Sequence, residues 1–134
     1  MWLSVDPRLP KPVYQQLVEG VKEAVARGLV AAGDRLPSVR ELATAMTLNH
    51  NTVARAYQEL ERERVIEVVR GRGTFVVATA RPRPDRDERV AAMAARMREM
   101  LVEAHHLQMG EDELLDLFRS TLRAWQEERG RAGA

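Results

Sequence analysis

Four consecutive polar side chains, at positions 49 to 52, are the residues best suited to recognition chemistry in this sequence. They are Asn49, His50, Asn51 and Thr52. Side chains of these types can exchange hydrogen bonds with base edges in a major groove or with phosphate oxygens. Asn51 and Thr52 could instead cap the start of a helix by accepting from free backbone N–H groups. The two roles are compatible, so the sequence leaves both open.

Three arginines supply positive charge on either side of this polar cluster. Arg70 and Arg72 flank Gly71 in a short turn. Glycine lets such a loop approach a phosphate backbone closely, and arginine is attracted into narrow minor grooves. Arg40 lies early in the preceding predicted helix, where it can contact a phosphate. The alternative for all three is an ordinary solvated arginine at the surface.

Three helices are predicted to position these side chains. The first begins at Pro12, a residue favoured in the first turn. The second begins at Ser38, where Glu41 three residues later completes a capping box. The third begins at Asn49, which can cap it. The buried face of the third helix is predicted to comprise Val53, Ala56, Tyr57 and Leu60.

A β-hairpin follows the three helices. Residues 65–69 form an apolar β-type run, residues 70–73 a turn and residues 74–77 the returning strand. Helices followed by a hairpin with a basic tip are the layout of a winged helix-turn-helix. The predicted fold class is mainly α with a small β wing.

Two further helices are predicted after a proline-bearing linker. Their apolar residues recur every three or four positions, and a two-helix hairpin cannot bury both faces alone. We therefore expect a homodimer. The residues predicted at its interface are Val90, Met93, Met97, Met100, Leu114, Phe118, Leu122 and Trp125. A small-molecule site among Met93, Met97, His105, Phe118 and Trp125 is the alternative for this region.

Composition excludes several other classes of function. The chain has no cysteine, so disulfide frameworks and thiol nucleophiles are absent. The turn Gly71-Arg72-Gly73-Thr74 lacks the spacing and the Lys-Ser/Thr pair of a phosphate-binding loop, and no order of residues suggests a catalytic triad. We expect no enzyme activity, no cofactor and no bound metal. No apolar stretch approaches the length of a membrane helix, which favours a cytoplasmic protein without a membrane partner.

Several ordered motifs resemble the DNA-binding domain of the GntR family of bacterial transcription regulators. They are Leu36–Ala43, Asn51–Val53, Ala56–Glu61 and Arg70–Val76, and the match covers residues 5 to 77. The short C-terminal region is similar to the YtrA-like branch, whose tail serves mainly in dimerisation. The resemblance implies a DNA-binding domain at 11–79 preceded by a short segment 1–10. A linker at 80–84 and a two-helix dimerisation region at 85–134 complete this division.

The resemblance also assigns roles to individual residues. Arg40 matches a phosphate-binding arginine, the residues at 49–52 open the recognition helix, and Gly71 with Arg72 form the contact at the wing tip. Thr47 stands where many relatives have glycine, so it is predicted to need an uncommon backbone geometry. The family often has a basic residue at position 54, whereas this chain has Arg55 one position later. Arg55 is therefore a further candidate phosphate contact.

The function implied is sequence-specific binding of duplex DNA for transcriptional regulation. A homodimer would bind a pseudo-palindromic operator, most simply as a repressor, and the branch suggests a transporter operon as the target. Two alternatives remain at this point. One is a winged helix that docks proteins and not DNA; the other is a regulator whose helical tail also senses an unknown small-molecule effector.

Overall fold

The computed structural model describes residues 2–77 and 85–132, which form two compact units. The predicted linker at 80–84 lies outside the described residues. The first unit contains the helices and strands of residues 2–77. The second contains, up to residue 128, the first C-terminal helix and most of the next one. The elements are α1 (Val13–Ala26), β1 (Arg35–Leu36), α2 (Val39–Met46), α3 (His50–Arg62), β2 (Ile66–Val69), β3 (Gly73–Val76), α4 (Arg86–His106) and α5 (Glu111–Ala132).

Side-chain caps determine where α2 and α3 begin. The Ser38 hydroxyl accepts a hydrogen bond from the backbone N–H of Glu41 at 3.0 Å, which satisfies one free donor of the first turn. Asn49 caps α3 in the same manner, through the backbone N–H of Asn51 at 2.8 Å. Both helix starts agree with the capping residues predicted from the sequence.

A left-handed residue makes the turn between these two helices. Thr47 ends α2 with φ 54° and ψ 48°, and its backbone N–H bonds back to the last turn of α2. Glycine adopts this conformation without steric cost, whereas threonine does so at a cost of about 1 kcal/mol. The uncommon geometry predicted for Thr47 is confirmed.

The core of the first unit forms around α3. Val53, Ala56 and Leu60 have no exposed surface, and Tyr57 is buried beside them. This is the buried face predicted from helical spacing. Leu17 and Val21 of α1 and Leu42 of α2 pack into the same cluster. Burying one complete face of α3 leaves its opposite face, including its first turn, at the surface.

An ion pair with a buried carboxylate also joins the first and third helices. The ammonium group of Lys22 lies 3.2 Å from a carboxylate oxygen of Glu63, whose side chain is only 3% exposed. Glu63 occupies the C-terminal cap of α3. A buried carboxylate needs such a partner because its desolvation is otherwise uncompensated.

The sheet has three antiparallel strands in the order β1-β3-β2. The strands β2 and β3 pair from Ile66↔Val76 to Val69↔Gly73. Both strands begin and end within one residue of the predicted bounds. Gly73, which was predicted in the turn, belongs to the strand because it pairs with Val69. The strand β1 was not predicted. It pairs Arg35 with Phe75 and Leu36 with Thr74, and two residues are too few to show an alternating pattern.

The second unit is a pair of helices, as predicted. A left-handed residue, Gln108 at φ 59°, ends the first helix, and three acidic residues open the first turn of the next, where the helix dipole favours them. Of the residues predicted at a dimer interface, seven are between 38% and 53% exposed and Leu114 is half-buried. Ala104 is the buried apolar residue of this pair of helices.

We predict that Tyr57→Phe weakens the fold and changes its response to alkaline pH. The Tyr57 hydroxyl donates a hydrogen bond to the Pro37 carbonyl at 2.6 Å. Burial, with a smaller contribution from the negative charge of Glu41, raises the pKa of Tyr57 to about 12 from its ordinary value of 10. The unfolded phenol therefore loses its proton first, so this stabilisation is complete below pH 10 and is lost as the pH rises towards 12.

In urea unfolding, Tyr57→Phe should lower the free energy of unfolding by about 1 kcal/mol at neutral pH. It should also remove the Tyr57 part of the decline above pH 10. Tyr14→Phe is the matched control, because Tyr14 is only half-buried, and it should retain the alkaline decline. Identical pH profiles for Tyr57→Phe and the unmodified protein would contradict this assignment.

Candidate nucleic-acid interface

The start of α3 presents polar atoms that the protein itself does not use. Asn49 provides the cap, so Asn51 and Thr52 are not needed for that purpose. Within residues 2–77 and 85–132, neither the Asn51 amide group nor the Thr52 hydroxyl makes a hydrogen bond. His50 and Asn51 are exposed, and Thr52 is half-buried. The sequence left open whether Asn51 and Thr52 cap the helix. In the structure Asn49 is the capping residue, so the next three side chains are available to a ligand.

Arg40 and His50 line one open depression on the surface of the helix-turn-helix. It has a volume of about 500 Å³. Its other lining residues are Ala43, Thr44, Thr47 and Leu48, which belong to α2 and to the turn that follows. The left-handed turn at Thr47 thus brings an arginine of α2 and the first residue of α3 to a common concave surface.

The wing places two arginines around a glycine with an unusual backbone. Gly71 has φ +79°, and a Cβ added there would meet no atom within 4 Å. Glycine is therefore favoured at position 71 by the backbone conformation and not by crowding. Arg70 and Arg72 are exposed on either side, and the Arg72 N–H closes the turn on the Val69 carbonyl at 2.9 Å.

Ion pairing divides the basic residues of the segment 2–77 into two sets. One set forms ion pairs with carboxylates: Arg8, Lys11, Lys22, Arg27 and Arg62. The other set has no carboxylate partner within the described part of the chain: Arg35, Arg40, Arg55, Arg64, Arg70 and Arg72. All three arginines that the sequence predicted as the strongest DNA contacts belong to the second set. Unneutralised charge of this kind attracts a polyanion.

Arg55 makes a contact that no pattern in the sequence indicates. Its guanidinium carbon lies 3.8 Å from the centre of the Tyr14 ring, a cation–π contact between α3 and α1. Stacking uses the flat face of the guanidinium group and leaves its N–H donors at the edge available. Tyr14 thus holds the charge of Arg55 at a defined place on the exposed side of α3.

A second cavity lies in the pair of C-terminal helices. It has a volume of about 350 Å³ and is mostly apolar. Phe118 is the member of the predicted small-molecule site that lines it; Met93, Met97, His105 and Trp125 do not. The complete lining is Met100, Glu103, Ala104, Leu107, Met109, Leu114, Leu117, Phe118 and Thr121.

Residues 2–77 and 85–132 contain no group of three or more His, Cys, Asp or Glu side chains that could hold a metal ion. No helix within the same residues combines the length and the apolar character that a membrane crossing requires.

We predict that the two neighbouring asparagines of the interface differ in their effect on stability. Asn49→Ala removes the cap of α3 and should lower the free energy of unfolding by about 1 kcal/mol. Asn51→Ala, of the same size and chemistry, removes no internal hydrogen bond and should leave it within about 0.5 kcal/mol of the unmodified value. Chemical denaturation of both variants checks the difference. Equal losses would contradict the division of roles between them.

Comparison with known proteins identifies the family. The model of bacterial regulatory proteins of the gntR family matches residues 13–76. The HTH-type transcriptional repressor YtrA of Bacillus subtilis is 39% identical over 104 residues, which cover 78% of this chain and 79% of that repressor. These relatives are regulators of transcription and not enzymes, in agreement with the sequence analysis.

Solved structures show the same fold. A transcriptional antiterminator from Listeria monocytogenes aligns with a TM-score of 0.71 at 29% identity, over 92% of this chain and 91% of its own. A GntR family transcriptional regulator from the same species aligns with a TM-score of 0.62 at 30% identity, over 87% of this chain and 98% of its own. The winged helix-turn-helix, joined to a helical C-terminal region, thus belongs to a member of the GntR family of bacterial regulatory proteins.

Proposed function

We propose that this protein is a homodimeric transcriptional repressor that binds a pseudo-palindromic operator. The observation that carries the proposal is the juxtaposition at the helix-turn-helix. Within residues 2–77 and 85–132, polar side chains in the first turn of α3 make no hydrogen bond, and arginines on α2 and on the wing have no carboxylate partner. A winged helix that docks proteins has no need of this unneutralised charge. The proposed site of action is the cytoplasm, and the proposed target is a transporter operon, as the resemblance to the YtrA-like branch implies.

The proposed contacts divide into positioning and reading. Arg40 binds a phosphate from the depression beside α2, and Arg55 binds another with the edge of its stacked guanidinium group. Asn51 reads a base, for which adenine is the best match because its major-groove edge pairs with an amide in two hydrogen bonds. His50 and Thr52 contact neighbouring base edges or phosphates. The wing, with Arg70, Gly71 and Arg72, enters the adjacent minor groove.

Replacing the arginines of α2 and the wing should weaken DNA binding without unfolding the protein. Arg40→Ala removes a phosphate contact, so it should weaken binding to all sequences alike and lower the slope of log affinity against log salt by about one unit. Arg72→Ala should also weaken binding. Fluorescence anisotropy with a duplex selected by the full chain from a random pool checks both variants.

The control for this experiment is Arg64→Gln. Arg64 also lacks a carboxylate partner in the described structure, but it follows the C-terminal end of α3, away from the first turn. It should retain the unmodified affinity. Full affinity in both Arg40→Ala and Arg72→Ala, with folding intact, would remove the DNA-binding assignment.

The variant Asn51→Ala tests base reading. It should weaken the binding free energy by about 1–3 kcal/mol through one operator position and relax the base preference at that position.

The apolar faces of α4 and α5 support the homodimer. Large exposed side chains such as Met93, Met97 and Phe118 lie at helical spacing, and soluble monomers rarely expose a continuous apolar patch of this extent. A second copy related by twofold symmetry is the commonest way to cover such a patch. Two recognition helices can then bind half-sites about one helical turn apart, roughly 10 bp centre to centre.

Charged substitutions in these faces should produce monomers that bind a full operator far more weakly. Met97→Glu and Phe118→Glu each place a carboxylate in the proposed interface, where its desolvation is not compensated. Ala95→Glu is the matched control, since it adds the same charge to the opposite side of α4. Sedimentation of the intact chain at micromolar concentration measures the result. A monomeric unmodified protein, or dimers in both Met97→Glu and Phe118→Glu, would contradict the proposal.

A further inference from the structure

Arg35 has an unusual position on the sheet, because its side chain occupies the space that any other residue at position 73 would need. A Cβ added to Gly73 would lie 2.9 Å from Nε of Arg35, 3.5 Å from its Nη2 and 3.6 Å from its Cζ. The guanidinium group therefore rests against the backbone of Gly73. Gly73 also has φ +128°, so its backbone conformation favours glycine, and the absence of a side chain leaves room for the guanidinium group.

The strand register shows which way Arg35 extends. Arg35 is paired with Phe75, and Gly73 lies two residues nearer the tip of the wing on the same strand. The neighbouring positions Leu36, Thr74 and Val76 are buried on the inner face of the sheet. Because side chains alternate between faces, Arg35 and Gly73 belong to the outer face. The side chain of Arg35 thus extends along the outer face towards the turn that carries Arg70 and Arg72.

No ion pair among the described residues accounts for this placement of charge. Arg35 is exposed, and it has no carboxylate partner within residues 2–77 and 85–132. Glu67 pairs with Phe75 from the strand on the opposite edge, β2. Within the described residues, Glu67 forms no ion pair with Arg35. Fixing an exposed arginine on a ligand costs side-chain freedom, and that cost is smaller when the group already lies where the ligand would contact it.

We propose that Arg35 is a further phosphate-binding residue, which contacts the DNA backbone beside the groove that the wing enters. The Arg35 side chain lies against Gly73. Arg35, Arg70 and Arg72 together would bind the DNA backbone from the wing. This proposal rests on the proposed DNA-binding function and adds a contact from β1, an element outside the helix-turn-helix and the hairpin. Because the contact is to a phosphate, it contributes to affinity and to salt dependence but not to sequence preference.

The test compares Arg35→Gln with Arg64→Gln in the full chain. Both variants remove one exposed arginine charge that has no carboxylate partner in the described structure, and they differ in position. The probes are two duplexes, one selected by the unmodified chain from a random pool and one unselected, each titrated over a range of salt concentrations. Arg35→Gln should weaken binding to both duplexes by a similar factor and lower the magnitude of the salt slope by about 0.9. Arg64→Gln should match the unmodified protein in both respects, and Arg35→Lys, which keeps the charge, should retain the slope.

Two results would overturn the proposal. One is an unchanged affinity and slope in Arg35→Gln while Arg40→Ala weakens binding. The other is a loss confined to the selected duplex with an unchanged slope, which would make Arg35 a base-reading residue. If the unmodified protein bound neither duplex in a salt-dependent manner, the DNA-binding function itself would fail, and that outcome is distinct from the failure of the Arg35 contact alone.

Discussion

Burial of one face of α3 is the constraint on which the rest of the first unit depends. Val53, Ala56 and Leu60 are completely enclosed, and Tyr57 ties the helix to the residue before the cap of α2 through its bond to Pro37. These contacts determine the rotation of α3 about its own axis. Once that rotation is determined, the polar first turn must face outward. The recognition surface is thus a consequence of core packing.

The same packing explains how charge is distributed over the unit. Lys22 and Arg27, in and next to α1, and Arg62 at the end of α3 form ion pairs. The carboxylate partner of Lys22 is almost completely buried. The arginines of α2, the wing and the edge strand have no such partners in the described structure. With a net charge of only +1 for the whole chain, bulk charge is uninformative. The local arrangement creates the positive surface.

The C-terminal helices follow a different physical principle. Within the described residues of this region, Ala104 is the buried apolar side chain, while methionines, leucines, a phenylalanine and a tryptophan remain exposed. Covering them would contribute free energy roughly in proportion to the apolar area removed from water. These exposed apolar faces are suited to association, and in the proposed dimer a second copy of the chain covers them.

The sequence alone was sufficient for features that depend on local interactions. Ser38 and Asn49 predict the starts of two helices because capping involves residues two or three positions apart. Helical spacing predicts the buried face of α3, and alternation predicts the hairpin, because each pattern repeats within one element. The positions of Arg40, Asn51 and Arg72 on exposed parts of these elements follow directly.

Only the tertiary structure decided the contacts between residues far apart in the chain. The strand β1 exists because β3 offers it an edge, and two residues carry no pattern of their own. The stacking of Arg55 on Tyr14 and the contact of Arg35 with Gly73 depend on how helices and strands pack. The reason is geometric: such contacts form when the core brings separate elements together. The spacing of the residues along the sequence does not indicate how close they lie in the folded protein.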